Sequence, residues 1–550
     1  MASELSYVNK KKADIRDVLI VYPFTYVNPY SNFPPLAAEY LQAGIVAAGR
    51  NATLLDMRFE NDIREHLQKA DLVCLYGFFE DCSIFGKWGV HVISEVLAQV
   101  PEGTPIVAGG TGFANPEEAL RAYPKIDVVI RGMPDTPIRE LLEAGSPESV
   151  RNLTYRKGRE LVATPSVVHR LSDEVYPKRA LRNPKYDYRL LDIPVDLVRA
   201  AVGCNYKCRF CYQYGKDTDG SFLRWQGRSP QSQFRELSEI EAPIVLWVDD
   251  DMTTDMKALD ELADLLIEHD VRKILIGTGR VDHILESDVA GMKKLERAGL
   301  LALAFGVESL KDETLKFYRK VQTMEETEQA MKMINETNIF LLCNFLLGSP
   351  GETREDMMEF LEFGRRWDVD TLVTNRLRVP EGSDLHKLIH DPQTGREKPG
   401  MERIKGEELN QIKQMIKFGQ RTPFRLALSL LKMYRHRGLF LDPLYFLCGL
   451  LETVTKYTWI EKTRVVPVLL YVPKKITSLK LFRALTRFVA VVVTPPVWAI
   501  NRLFEFIDRR LHISTAVLPA VFEFYNRRVR DVQKQRAQLV RNKASASPSS

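Results

Sequence analysis

The feature that most constrains this chain is a repeated alternation of short apolar runs with helical stretches. DVLIVY (17–22), ATLLDM (52–57), DLVCLYG (71–77), PIVAGG (105–110) and DVVIRG (127–132) read as buried strands. Apolar helical patterns lie between them, notably at 35–49 and 83–99. Strands that are apolar on both faces need cover on both sides. Alternation with helices supplies that cover and specifies a parallel, doubly wound α/β sheet. In such a fold ligands bind beyond the carboxyl ends of the strands.

The alternation pauses over 151–190, a polar connector with a short hairpin expected at Lys157-Gly158. It resumes with candidate strands at 195–203, 244–248, 273–277, 302–306, 340–346 and 371–375, and helical patterns at 254–269 and 324–337. Six βα units are too few to close an eight-stranded barrel, so 191–404 should form a partial (β/α)6 barrel. Beyond about 405 the strands stop. Residues 405–535 read as helical, basic and aromatic, and the Ala/Ser/Pro tail 536–550 as disordered.

Charge is unevenly spread. Residues 421–550 hold 23 Lys/Arg against 7 Asp/Glu, an excess of 16 positive charges. The whole chain carries only +5, so the first 420 residues carry −11. Of seven Cys, three fall within eight residues, which is unlike a secreted disulfide framework. The start of the chain is polar and has no apolar signal core. A reducing, cytoplasmic setting is therefore expected. The longest apolar run, Phe488–Ile500, is broken by Pro495 and Pro496 and falls short of the roughly 20 residues a bilayer requires, so no ordinary membrane-spanning helix is expected.

The three clustered cysteines are Cys204, Cys208 and Cys211, spaced C-x3-C-x2-C directly after a candidate strand. Three thiolates in one loop can ligate three irons of a [4Fe–4S] cluster and leave the fourth iron open, as catalysis requires. A zinc site would want a fourth ligand nearby, and no His lies between His169 and His269.

With Phe210 before the last Cys, the motif resembles that of the radical S-adenosylmethionine (SAM) superfamily. In that family SAM binds the open iron and is cleaved to a 5′-deoxyadenosyl radical, which abstracts hydrogen from unactivated C–H bonds. Further segments resemble the family's SAM contacts, in order and at strand ends. Asp249 and Asp250, with Asp251, resemble the acidic motif near the SAM amino group. Gly306-Val307-Glu308-Ser309 resembles the ribose and methionine segment, and Gly348-Ser349-Pro350-Gly351-Glu352-Thr353 the turn beside the adenine. Arg280 is placed to pair with the SAM carboxylate. The sixth strand's end, Arg378-Val379-Pro380-Glu381-Gly382-Ser383, departs from the family pattern and carries no role.

Residues 1–150 resemble the Rossmann-like cobalamin-binding domain fused ahead of one radical SAM class. The likeness rests on Phe33-Pro34-Pro35-Leu36, Gly109-Gly110 and Arg131-Gly132. Pro35, Gly109, Gly110 and Gly132 are the implied cobalamin contacts, since glycines let backbone approach a bulky corrin. The loop 22–30 has no His, so a protein ligand to cobalt is absent there, and Gly132-Met133-Pro134-Asp135 replaces the common G-E-x-E. The alternative is a docking domain of the same fold with no cofactor.

The basic, aromatic C-terminal region reads in two ways. One is a membrane-peripheral surface on the inner face of the cell membrane, the other a helical cap with a solvated charged face. Its apolar content argues against nucleic acid. The resemblance implies [4Fe–4S], SAM and cobalamin as cofactors, with a flavodoxin or ferredoxin-type reductant. The reaction it implies is methylation of a lipophilic lipid, isoprenoid or tetrapyrrole-like substrate. Radical cyclisation or C–C coupling without methyl transfer, and a non-catalytic sensor, are the alternatives.

Overall fold

The computed structural model describes residues 15–24, 31–60, 62–77, 92–113, 115–167, 171–211, 224–381, 383–420, 423–443, 445–447, 449, 451 and 480–511. The chain divides into two compact units. The first is Met1–Leu190 with Pro194–Val198 and Asp217–Glu241, and the second is Leu191–Ile193, Arg199–Lys216 and Ala242–Ser550.

In the first unit seven strands form one sheet: β1 (Asp17–Tyr22), β2 (Asn51–Asp56), β3 (Leu72–Tyr76), β4 (Ile106–Gly109), β5 (Val128–Ile130), β6 (Leu153–Lys157) and β7 (Glu160–Ala163). The order is β2-β1-β3-β4-β5-β6-β7, and β1 to β5 run parallel. Successive residues face opposite sides. Ile20 packs with Leu41, Tyr76 and Ile138 on one face, and Val21 with Leu75, Val96 and Leu120 on the other. Each such side chain contributes about 1.5–3 kcal/mol on burial, which explains why the strands read as unbroken apolar runs. The connector departs from expectation at one point. β6 and β7 are the foreseen hairpin, but β6 pairs antiparallel with β5, so the hairpin extends this sheet.

In the second unit five strands lie side by side: β8 (Ile244–Trp247), β9 (Ile274–Gly279), β10 (Leu300–Glu308), β11 (Phe340–Leu347) and β12 (Thr371–Arg376). Each pairs in parallel with the next. The helices Met256–Glu268, Val289–Ala298, Met324–Asn335 and Arg354–Arg366 alternate with them. Asp255, Asp288, Thr323 and Thr353 cap their N-termini, the last two as reciprocal boxes with Glu326 and Asp356. Among the described residues this is an open run of βα units rather than a closed barrel.

Gly406–Gly419, Pro423–Arg435 and Lys480–Leu511 follow as helices. The last bears on the expectation that no ordinary membrane-spanning helix is present. Pro495 and Pro496 lie inside a continuous 32-residue helix, and Leu485–Asp508 is long and apolar enough by composition to cross a membrane. Two adjacent prolines cost two backbone hydrogen bonds, but they need not end a helix whose freed carbonyls face outward. The expected tail 536–550 lies outside the described residues.

Candidate active site

Gly203 turns the chain with φ +80° just before Cys204. No Cys among the described thiols is in a disulfide; Cys204 and Cys211 are half-buried and Cys208 is buried. Burial pushes the Cys204 thiol up, while the Tyr206 backbone and the Arg280 guanidinium pull it down.

The loop is gripped from two directions. On one side, the Arg209 amide donates to Tyr318 O at 2.9 Å and its guanidinium to Phe317 O at 2.6 Å. Cys208 Sγ lies 3.8 Å from Arg319 O, and the Phe210 ring meets Tyr318 edge-on at 5.1 Å. On the other side, Tyr206 Oη donates to Asp282 Oδ2 at 2.5 Å and lies 3.0 Å from His283 Nε2. His283 Nδ1 is 2.7 Å from Asp251 Oδ2. Arg280 holds Asp282 through two bonds (2.9 and 3.1 Å) and stacks 3.5 Å over the Tyr206 ring. With both His283 nitrogens protonated, a continuous chain runs from Asp251 through His283, Tyr206 and Asp282 to Arg280. Burial alone would lower His283, but its bond to Asp251 and the charges of Asp251 and Asp282 together outweigh burial and raise it. Burial would raise Asp251, but the bonds from His283, Thr253 and Thr254 and the His283 charge together hold it lowered. Sequence reading missed Tyr206, Asp282, His283 and Lys320. Only the aromatic at 206, inside the cysteine loop, offered any signal.

The three aspartates after β8 separate. Asp249 is buried and accepts from the Ala200 amide (2.9 Å) and the Trp247 indole (2.8 Å). Burial pushes its carboxyl up to about 7. Asp250 is exposed, and Asp251 turns inward to His283. Asp249 thereby ties the end of β8 to the backbone that leads into the cysteine loop.

At the end of β10 the pairing with β11 slips between Gly306 and Glu308, and Glu308 takes φ +68°. A Cβ at Gly306 would lie 2.2 Å from Glu308 Oε1 and 2.8 Å from Lys320 Nζ. Glu308 is buried and pairs with Lys320 at 3.4 Å; burial pushes its carboxyl up against the pull of Lys320. Gln322 Nε2 donates to Gly306 O and Val307 O, both at 3.2 Å, which leaves Gln322 Oε1 buried without a partner among the described residues. Ser309 is buried and accepts from the Lys311 amide at 3.2 Å. After β11, Gly348 (φ +78°) and Gly351 (φ +69°) shape a turn around Pro350. Glu352 is buried there, accepts from the Ser349 amide at 3.2 Å, and is pushed up to about 7 by burial. Gly351 also donates to Glu402 O at 3.0 Å.

These residues fit the implied groups. Three thiols outside any disulfide, in one loop beside a cation, suit an anionic cluster that takes one thiolate per iron. No three His, Cys, Asp or Glu among the described residues converge as a single metal ion requires. The orphaned Gln322 acceptor beside Gly306 suits a donor-bearing ligand at the end of β10.

In the first unit the expected glycine contacts lie at carboxyl ends of strands, but for differing reasons. A Cβ on Gly110 (φ +95°) would lie 2.2 Å from Gly77 O, and one on Gly109 2.4 Å from the Tyr76 ring. Those two glycines are needed by the domain's own packing. Gly132 (φ +76°) has nothing within 4 Å of where its Cβ would stand. Pro35 precedes helix Leu36–Ala47, and Arg58 donates to Asn32 Oδ1 (2.6 Å) and Phe33 O (2.8 Å), fixing the chain ahead of it. An open glycine beyond a parallel strand suits close approach by a large planar ligand.

Residues 198–364 match the family model described as the radical SAM superfamily. The central region is a radical SAM domain. An uncharacterized methyltransferase of Pyrococcus horikoshii is 26% identical over 61% of this chain and 74% of its own length. An anaerobic magnesium-protoporphyrin IX monomethyl ester cyclase of Cereibacter sphaeroides is 25% identical over 51% of this chain and 48% of its own. Among solved structures, the radical SAM methyltransferase TsrM of Kitasatospora setae, with cobalamin and a [4Fe–4S] cluster bound, superposes with TM-score 0.54. It is 18% identical, and the match covers 68% of this chain and 75% of TsrM. At that identity the likeness speaks for the fold. The radical SAM domain thus follows a doubly wound domain of the kind expected.

Proposed function

We propose that this radical SAM protein is a cobalamin-dependent enzyme that methylates an unactivated carbon of a lipophilic small molecule, of lipid, isoprenoid or tetrapyrrole-like kind. The observation that carries the reading is the joining, in one chain, of the gripped three-cysteine loop to a sheet that ends in an open glycine. A [4Fe–4S] cluster with SAM supplies a 5′-deoxyadenosyl radical and cobalamin supplies a transferable methyl group when bound, chemistry that no side chain can provide.

The chain's own residues hold and orient. Cys204, Cys208 and Cys211 ligate the cluster, and Tyr206 with the 317–320 segment fixes the loop between them. Asp249, Asp250, Arg280, Gly306, Glu308, Ser309, Gly348, Pro350, Gly351 and Glu352 surround SAM; Pro35 and Gly132 approach the corrin, and Gly109 and Gly110, held by the domain's own packing, shape the strand end that meets it. A flavodoxin or ferredoxin-type protein is the reductant, and the enzyme works in the cytoplasm on the inner face of the membrane. The Pyrococcus relative supports methyl transfer, and the cyclase, which acts on a tetrapyrrole, supports a lipophilic substrate.

The test uses full-length protein reconstituted anaerobically, a chemical reductant, lipid extract and SAM deuterated in its methyl group. A product heavier by one labelled methyl in place of hydrogen is expected. Loss of hydrogen without label gives the second reading, cyclisation or coupling, which the cyclase relative favours. Absence of 5′-deoxyadenosine refutes both and leaves a sensor.

A further inference from the structure

Helix Lys480–Leu511 is amphipathic in the inverted sense. Its protein-facing stripe in the C-terminal half is polar: Asn501, Glu505 and Asp508 are all buried. Asp508 pairs with Arg365 at 3.2 Å, and Glu505 with Arg425 at 3.6 Å and Arg502 at 3.3 Å. Arg502 also donates to Arg365 O at 2.6 Å. The outward face is apolar. Phe488 is 68% exposed, Leu503 60% and Leu485 58%, with Val491, Val492 and Phe506 beside them. A soluble cap would show the reverse arrangement. A contiguous apolar face of this kind marks an interaction surface.

We propose that this outward face seats the protein on an anionic lipid surface, with the helix lying in the interface. Three observations choose this occupant. First, the only acids of the helix, Glu505 and Asp508, are turned inward in ion pairs, so the charges exposed among its described side chains, Arg487 and Arg510, are cationic. Second, residues 421–550 carry 16 excess positive charges, which complements an anionic headgroup layer. Third, Pro495 and Pro496 leave the carbonyls of Val491 and Val492 without helical partners, and both side chains there are more than half exposed. Such carbonyls are tolerated among wet headgroups and are costly in hydrocarbon, so the helix lies on the bilayer rather than crossing it. The ion pairs fix the lipid-facing ridge rigidly to its own unit.

The proposal gives the lipophilic-substrate reading its route of supply and rests on that reading for its purpose. Its test needs neither cluster nor SAM, so the two fail separately. Full-length protein is sedimented with vesicles of phosphatidylcholine alone or in equal parts with phosphatidylglycerol. Binding to the mixed vesicles is expected, at least about tenfold weaker without the anionic lipid. F488D/L503D should lose about a hundredfold of affinity with an unchanged circular dichroism spectrum, since both side chains are exposed. R487Q/R510Q should lose several-fold and flatten the salt dependence; it carries the test if the first variant does not fold. Wild type that ignores both vesicles, or variants that bind as wild type does, overturn the proposal. So does a wild-type dimer in solution that F488D/L503D turns into a monomer, which would assign the face to a second copy.

Discussion

Three neighbouring strands in each of the two sheets end in opposite materials. In the first unit β3, β4 and β5 run out into glycine: Gly77, Gly109-Gly110 and Gly132. In the second, β8, β9 and β10 run out into charge: Asp249 to Asp251, Arg280 to His283, and Glu308. Glycine ends present bare backbone, which suits a broad ligand held by shape. Charged ends present side chains, which suit a small ligand with its own charges. Even among the glycines the roles divide: a Cβ on Gly110 would strike Gly77 O, whereas one on Gly132 would meet nothing within 4 Å.

The largest expected effect is at the charged end. Cys208→Ala should abolish the cluster's visible absorbance and all 5′-deoxyadenosine formation; a residual cluster with full turnover would refute the ligand assignment. Next is Gly110→Ala, where a methyl 2.2 Å from Gly77 O at φ +95° should cost about 3 kcal/mol or more in denaturant unfolding. Tyr206→Phe keeps the ring under Arg280 but removes the hydroxyl between His283 and Asp282. A stability loss of about 1–2 kcal/mol and a lower cluster occupancy are expected. An unchanged iron content would show that the loop holds itself.

Asp251→Asn should have a smaller, pH-dependent effect of about 1 kcal/mol. His283 is raised by its bond to Asp251, so its contribution is full below its usual value near 6.5 and fades as pH rises through the raised one. Asp251 is lowered, so its contribution is present above its usual 3.8 and fades as pH falls through the lowered one. The difference in thermal midpoint between wild type and variant should therefore be greatest from about pH 4 to 6.5. A difference that is flat across pH would break the assignment of the pair. The smallest stability effect is expected for Gly132→Ala, about 1 kcal/mol from its φ alone. Corrin retention on anaerobic gel filtration should nevertheless fall. Retention as tight as wild type would sever Gly132 from the ligand and leave the two strand ends less different than they look.

The strands of both sheets were legible in the sequence because burial on two faces leaves a compositional mark on each. The cysteine loop was legible because its spacing is local. The network that grips it was not. Residues 206, 251, 283 and 318 come together only through the β8, β9 and β10 ends, and no local pattern announces that meeting. The Asp249-Asp250-Asp251 run shows the same limit at closer range. Three identical residues leave the end of a strand in different directions, one to a backbone amide, one to solvent and one to a histidine. The prolines at 495 and 496 misled for another reason, since a proline's effect depends on where its orphaned carbonyl points.

Glu308 stands in a left-handed backbone conformation that glycine would adopt freely. At this position heredity has two masters. A chain drifting to glycine at 308 would relieve that backbone by about 1–2 kcal/mol. That drift would erase the only carboxylate the Lys320 ammonium pairs with among the described residues. The residue is thus a place to look when sorting descendants of this chain: those that keep an acid there have kept the partner of a buried ammonium, and those that relax to glycine have left that ammonium uncompensated.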